Sequence, residues 1–270
     1  MIACLEPLFP GEWLAHAEGV ALAPPGAAEP TVAAWLDRPG ALATALQAHA
    51  RQLDPPVDGA QAPLAALASV WSLTYFWRLL PPVVAATSVL QRALPVAAAQ
   101  ARVAMGEDGV PRPFLLAHDG QAMPGTPAAA RYGALLHEHI APLAARLARD
   151  TGLAPRIVWG NAARYLEFIF AEFRRLMPAH EGLRADHAWL LTRADWAGLE
   201  NPMYRPARVV TRGGAQDGAT YTLLRRCCLY YQLPGHDYCD LCPLAPCNRA
   251  ARRLPDPGND ARASADATAG

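Results

Sequence analysis

The chain has 270 residues, 52% hydrophobic and 18% charged, a balance that builds a large core and excludes wholesale disorder. Its 24 basic and 24 acidic side chains cancel, so no global field draws nucleic acid or an anionic membrane, and any electrostatic steering must be local. Lysine is absent, a bias that together with the alanine richness reflects genomic base composition rather than function.

The N-terminal "MIACLEPLFPGEW" lacks a basic region and carries Glu6 and Glu12, so it does not read as a secretory signal and a cytoplasmic location is expected. Residues 1–30, rich in Pro and Gly, are expected to be irregular apart from a short helix around Trp13–His16. Residues 31–53 place Val32, Trp35, Leu36, Leu42, Leu46 and Leu53 at helical spacing, with a break at Pro39-Gly40. Residues 53–63, "LDPPVDGAQAP", form a connector.

From Leu64 to Leu80 apolar and aromatic residues are dense enough for a helix buried on nearly all sides. Pro81-Pro82 should end or kink it, and a second helix should run to about Leu94. Arg78 and the proline pair argue against a membrane span over this stretch. Residues 101–123 alternate around Gly-bearing turns and read as one or two small β-hairpins. Helical periodicity returns over 128–150 and again over 161–177, where Asn161 is placed to cap the start and Pro178 stands just past the end. A short helix is expected over 185–191, a loop over 192–202, and two strands about a Gly-rich turn within 208–226. The residues from Pro255 onward are small and polar and are expected to be disordered. No Gly-rich phosphate loop supports a bound nucleotide or flavin.

The unusual stretch is "RRCCLYYQLPGHDYCDLCPLAPC", residues 225–247, which holds five of the six cysteines. In a reducing compartment clustered thiols are more often metal ligands or redox groups than disulfides. Cys227 and Cys228, then Cys239 and Cys242, supply the four thiolates that either a tetrahedral zinc or a two-iron cluster needs. Cys239-x2-Cys242 is a zinc-type knuckle, but adjacent cysteines project apart and converge poorly on one metal. Two bridged irons tolerate such a pair better, so spacing favours iron–sulfur without closing the zinc and disulfide alternatives.

"RRCCLYYQLPGHDYCDLCPL" resembles the C-terminal signature of the FhuF-like ferric-siderophore reductases, in which Cys-Cys-x10-Cys-x2-Cys binds a 2Fe-2S cluster. "VWSLTYFWRLLPP" (70–82) and "VWGNAARYLEFIF" (158–170) resemble internal segments of that family. The resemblance implies Cys227, Cys228, Cys239 and Cys242 as ligands and no catalytic residue beyond the cluster. It implies one-electron reduction of a ferric siderophore, with release of Fe(II) in the cytoplasm and a ferredoxin or flavoprotein as external electron donor. Peripheral contact with the inner membrane is compatible with it. Cys247, separated by four residues from the motif's last cysteine, lies outside the pattern and is expected to be idle, as is Cys4.

Around the motif, eight arginines against four carboxylates over residues 200–254 leave a local excess of four positive charges. Such charge favours the reduced form of a cluster and could receive an anionic chelate or an acidic carrier. Arg225, Arg226, Tyr230 and His236 are the candidates for supporting the cluster or docking a partner; Tyr231 and Tyr238 could shield it. His137 and His139 stand two apart on a helix and should not share a metal.

The expected architecture is mainly α with small β-hairpins (α+β), a helical domain plus a C-terminal iron–sulfur loop. Its expected divisions are an N-terminal segment (1–63), a helical domain (64–218), a cluster-binding segment (219–254) and a tail (255–270). A zinc-stabilised or iron–sulfur accessory module of siderophore metabolism without turnover of its own is the alternative function.

Overall fold

A computed structural model describes residues 1–196, 198–211 and 220–253. It is mainly helical with small strand pairs. The helices are α1 (Leu14–Ala17), α2 (Val32–Asp37), α3 (Ala41–Ala50), α4 (Leu64–Val84), α5 (Ala128–Leu135), α6 (Ala141–Thr151), α7 (Pro155–Leu176), α8 (Glu181–His187) and α9 (Pro246–Ala250). The strands are β1 (Val20–Leu22), β2 (Arg92–Ala93), β3 (Phe114–Leu116), β4 (Gln121–Ala122), β5 (Asp195–Trp196), β6 (Leu199–Glu200), β7 (Arg208–Thr211), β8 (Thr220–Leu223) and β9 (Arg252–Arg253). Among the described residues, no helix is long and apolar enough to cross a membrane.

The centre is the pairing of α4 with α7, the most extensive helix–helix contact. The dense apolar run of α4 buries Trp71, Tyr75, Phe76, Leu79 and Leu80, and the stripe of α7 buries Leu166, Ile169, Phe170 and Phe173. Each such side chain contributes about 1.5–3 kcal/mol by leaving water. The break at Pro39-Gly40 falls between α2 and α3, where Gly40 takes the left-handed conformation before α3.

The prolines do not end α4. Pro81 and Pro82 lie inside it, and the helix continues to Val84 before widening into a π-turn over Ala85–Val89. Pro82 has no N–H for the carbonyl four residues back, that of Arg78. Gly19 approaches that carbonyl so closely that a Cβ there would stand 1.8 Å from its oxygen. The chain at Gly19 thus crosses close over the freed carbonyl, and no second helix reaches Leu94; β2 occupies Arg92–Ala93 instead.

Asn161 is not a cap. The helix begins six residues earlier, with Pro155 at its first position and Ala154 before it, and Asn161 is buried within it. Its Nδ2 donates to the Ser69 carbonyl, Ser69 Oγ and Ser72 Oγ at 2.9–3.0 Å, which ties α7 to α4.

Residues 102–115 fold back on themselves through antiparallel bridges of Arg102 with Leu115 and Met105 with Pro111, as an expected hairpin would, but the named strands pair elsewhere. β3 pairs in parallel with β1, and β4 pairs antiparallel with β2, so both partners are distant in sequence. A hairpin does form at β5–β6, inside the stretch read as loop. β7 and β8 are antiparallel as expected, and their connecting turn, 212–219, lies outside the described residues with the tail from 254. The N-terminal segment is tied into the core by buried Ile2, Leu5, Phe9 and Val20.

Two buried polar groups lie within the helical layer. Arg131 grips both carboxylate oxygens of Asp186 at 2.5 and 2.6 Å, and Ser88 Oγ donates to the same carboxylate. His139 is fully buried on the π-turn at Leu136–Ile140; its Nδ1–H donates to the Val96 carbonyl, which leaves Nε2 to accept from Tyr75 Oη at 2.6 Å. His137 sits on the same turn with its ring edge toward Trp196, so the two histidines share no ligand.

Candidate metal centre

The strand β8 leads straight into the cysteine loop. Just past its end, the Leu224 N–H donates to the Leu241 carbonyl at 2.9 Å, drawing the two halves of the loop together. Leu229 then turns the chain in the left-handed conformation (φ 63°), a costly choice for a branched side chain. Its N–H points back at Cys227 Sγ, 3.4 Å away. The knuckle closes with the Cys242 N–H donating to the Cys239 carbonyl at 2.9 Å.

These turns bring Cys227 Sγ within 3.4 Å of Cys242 Sγ across 15 residues. That is near the edge of a thiolate tetrahedron with 2.3 Å metal–sulfur bonds, about 3.8 Å. Cys228 and Cys242 also lie near enough to Cys239 to raise its thiol, behind burial as the larger cause. Burial, offset in part by the Leu229 N–H, and contact with Cys242 push Cys227 up to about 12. A metal binding these sulfurs would displace their protons.

Cys228 and Cys242 are buried, Cys227 and Cys239 are half-buried, and none of the four is in a disulfide. Among the described residues, no group of three His, Cys, Asp or Glu side chains is gathered for one ion. What the loop presents is one thiol contact, Cys227 with Cys242, and Cys239 within electrostatic reach of both Cys228 and Cys242. This donor set fits a cluster spread over two metals. Cys247 stands exposed on α9, and Cys4 is exposed at the other end of the chain.

The knuckle has an unexpected support in Asn248, which is fully buried. Its Nδ2 donates to the carbonyls of Asp240 and Cys242 at 2.8 and 2.9 Å, while Arg208 reaches the carbonyls of Pro243 and Asn248. The only sequence signal for it was an amide close behind a knuckle.

The candidate supporting residues divide. Arg225 is a clamp: it donates to Glu167 Oε1 at 2.6 Å and to the Arg205 carbonyl at 2.5 Å. Arg226 packs along α7, where a Cβ on Gly160 would meet its side chain at 2.7 Å. Its buried Nε meets no acceptor among the described residues. Burial, then the charges of Arg205 and Arg156, push its guanidinium below its ordinary value, with Glu200 acting the other way. His236 stacks near Tyr230, ring centroids 4.4 Å apart, and its Nε2–H donates to the Pro55 carbonyl, so it anchors the loop to the connector. Tyr231 and Tyr238 stack on each other at 4.1 Å.

Residues not foreseen flank the loop from α7. Arg164 is close enough to Cys239 to favour its thiolate, and Tyr165 feels the charge of Cys228. Glu167 accepts from His187 Nε2–H at 2.8 Å as well as from Arg225. Burial pushes its carboxyl up, but these two partners outweigh that and hold it below the ordinary range.

Residues 69–217 match the family described as ferric iron reductase FhuF-like transporter, and residues 225–244 match the FhuF 2Fe-2S C-terminal domain. The chain is similar to a ferric siderophore reductase of Escherichia coli (strain K12), 27% identical over 183 residues, which are 66% of this chain and 65% of that protein. The similarity thus spans slightly less than two thirds of the relative's length.

Proposed function

Because the chain belongs to the FhuF-like ferric iron reductase family, with a 2Fe-2S domain at its C-terminal end, we propose that it is a ferric-siderophore reductase. The observation that carries the reading is the convergence of Cys227 on Cys242 within a loop of four undisulfided cysteines. When bound, a 2Fe-2S cluster supplies a single electron at a time.

The residues of this chain would act around that electron. Cys227, Cys228, Cys239 and Cys242 would hold the cluster. The Leu229 N–H aimed at Cys227 Sγ and the arginines nearby would stabilise added negative charge. Ferric ion is a hard cation that siderophore oxygens hold far more tightly than ferrous ion. One electron therefore takes Fe(III) to Fe(II) and loosens the chelate, with no bond of the ligand hydrolysed. The reading includes release of Fe(II) in the cytoplasm and a ferredoxin or flavoprotein as the external donor.

The test is stopped-flow oxidation of the dithionite-reduced protein by ferric siderophores. Bleaching that accelerates with siderophore concentration, with one Fe(II) formed per electron lost, is expected. Oxidation no faster than in buffer would mean an accessory module without turnover.

A further inference from the structure

A cavity of about 380 Å³ lies between α7 and β8, directly beside the cysteine loop. Its volume is in the range of small-molecule sites. Arg164, Arg225 and Arg226 line it, with Gly160, Thr222 and Leu223 among the remaining walls. The same Arg164 reaches toward Cys239, and Arg226 is bonded to Cys227 in sequence, so the cavity and the thiols share a wall.

The wall is cationic without an internal counter-ion. Its one carboxylate, Glu167, is already engaged by Arg225 and His187. Among the described residues, neither Arg164 nor Arg226 stands within ion-pair distance of an acid. Arg226 also leaves a buried Nε without an acceptor among the described residues, a donor that a bound oxyanion could satisfy. Arg205, at the edge of a second arginine-lined cavity across the 205–208 segment, adds to the field. Guanidinium forks of this kind match carboxylate and other paired oxyanions.

We propose that this cavity is the substrate site and that it selects ferric chelates of net negative charge, with carboxylate or catecholate oxygens, over neutral or cationic hydroxamate chelates. The inference rests on the reductase reading above, and it adds where the chelate binds and which class is taken. A partly open hollow with Leu223 in its wall suits a small chelate better than the broad face of an acidic protein carrier, which remains a distinguishable outcome.

Gallium(III) chelates separate binding from electron transfer, because gallium is not reduced under these conditions. The as-isolated protein would be titrated with the gallium complex of a tris-catecholate siderophore (net charge −3) and with that of a linear tris-hydroxamate (net charge +1), at low and high salt. The expected result is preference for the tris-catecholate, weakened by salt through screening. Arg164→Gln or Arg226→Gln should weaken its binding about tenfold or more, and Arg175→Gln, an exposed residue elsewhere on α7, should not. Thr222→Trp fills the hollow from an exposed strand position and should block binding even if an arginine variant folds poorly. Equal binding of both chelates, or affinity unmoved by Thr222→Trp, overturns the inference. Should the arginine variants slow only reduction by an acidic ferredoxin, with gallium binding unchanged, the arginines serve the donor and the inference also falls. Reduced protein that is oxidised by ferric chelates while gallium binding ignores the cavity leaves the reductase reading standing without this site. Selective gallium binding with no oxidation does the reverse.

Discussion

Cys227 Sγ and Cys242 Sγ meet at 3.4 Å, joining one member of the adjacent cysteine pair to the far end of the knuckle. In the proposed centre, the contact lets neighbouring cysteines contribute without converging on each other, since Cys227 meets a thiol across the loop. Serine in place of Cys227 or Cys242 should cut iron content and visible absorbance to a small fraction of the parent. Cys247→Ser and Cys4→Ser, both at exposed thiols, should leave them unchanged.

The buried amide of Asn248 braces the knuckle through two carbonyls. Asn248→Ala strands both acceptors in a buried setting, at about 1–3 kcal/mol. The variant should still fold, with a lower Tm, and should release iron to a chelator several times faster than the parent.

Gly160 gives Arg226 its place. A Cβ at that position would stand 2.7–3.0 Å from the Cδ, Cβ and Cγ atoms of Arg226, the near part of the side chain rather than its free end. Gly160→Ala should therefore push the start of the cysteine loop away from α7, costing about 1–3 kcal/mol as an overpacked contact. Lower cluster occupancy after anaerobic reconstitution, alongside reduced Tm, is the measurement.

The Arg131–Asp186 pair is almost wholly buried, and breaking one half leaves the other charge unpaired. Arg131→Met should destabilise the fold by about 3–5 kcal/mol in urea titrations. Arg131→Met combined with Asp186→Leu should recover much of that loss.

His139 makes stability depend on pH. Burial lowers its pKa to about 4, with the Val96 carbonyl opposing, from 6.5 in the unfolded chain. Between these values the unfolded state binds more protons, so stability rises with pH, is complete above about 6.5 and is lost as pH falls toward 4. The loss attributable to this residue is on the order of 3 kcal/mol. His139→Gln can still donate to Val96 and accept from Tyr75, and it should flatten the slope between pH 6.5 and 4.

The helical layers were legible because their signals are local. The spacing of Leu166, Ile169, Phe170 and Phe173 reports a buried face without knowledge of its partner, and the cysteine spacing marked the loop that the 2Fe-2S domain match covers. What the sequence hid depended on distant contacts. Asn161 has the chemistry of a cap, but Ser69 and Ser72 on α4 supply better partners. Pro81-Pro82 looked like a stop, yet the helix goes on to Val84, with the distant Gly19 packed against the freed Arg78 carbonyl. The strands at 114–116 and 121–122 pair with β1 and β2, partners that no period-two pattern names. Arg164 and Glu167 lie in the segment 158–170 that resembles the family, but nothing in its spacing told that α7 would bring them beside the cysteine loop.

The account depends most directly on two bridged irons held by the four cysteines. Anaerobically purified protein should contain about two irons and two acid-labile sulfides per chain, and be red-brown before reduction. After one-electron reduction it should show the EPR signal of a single spin one-half per cluster. Colourless protein with one zinc and no labile sulfide, prepared under the same conditions, would contradict it.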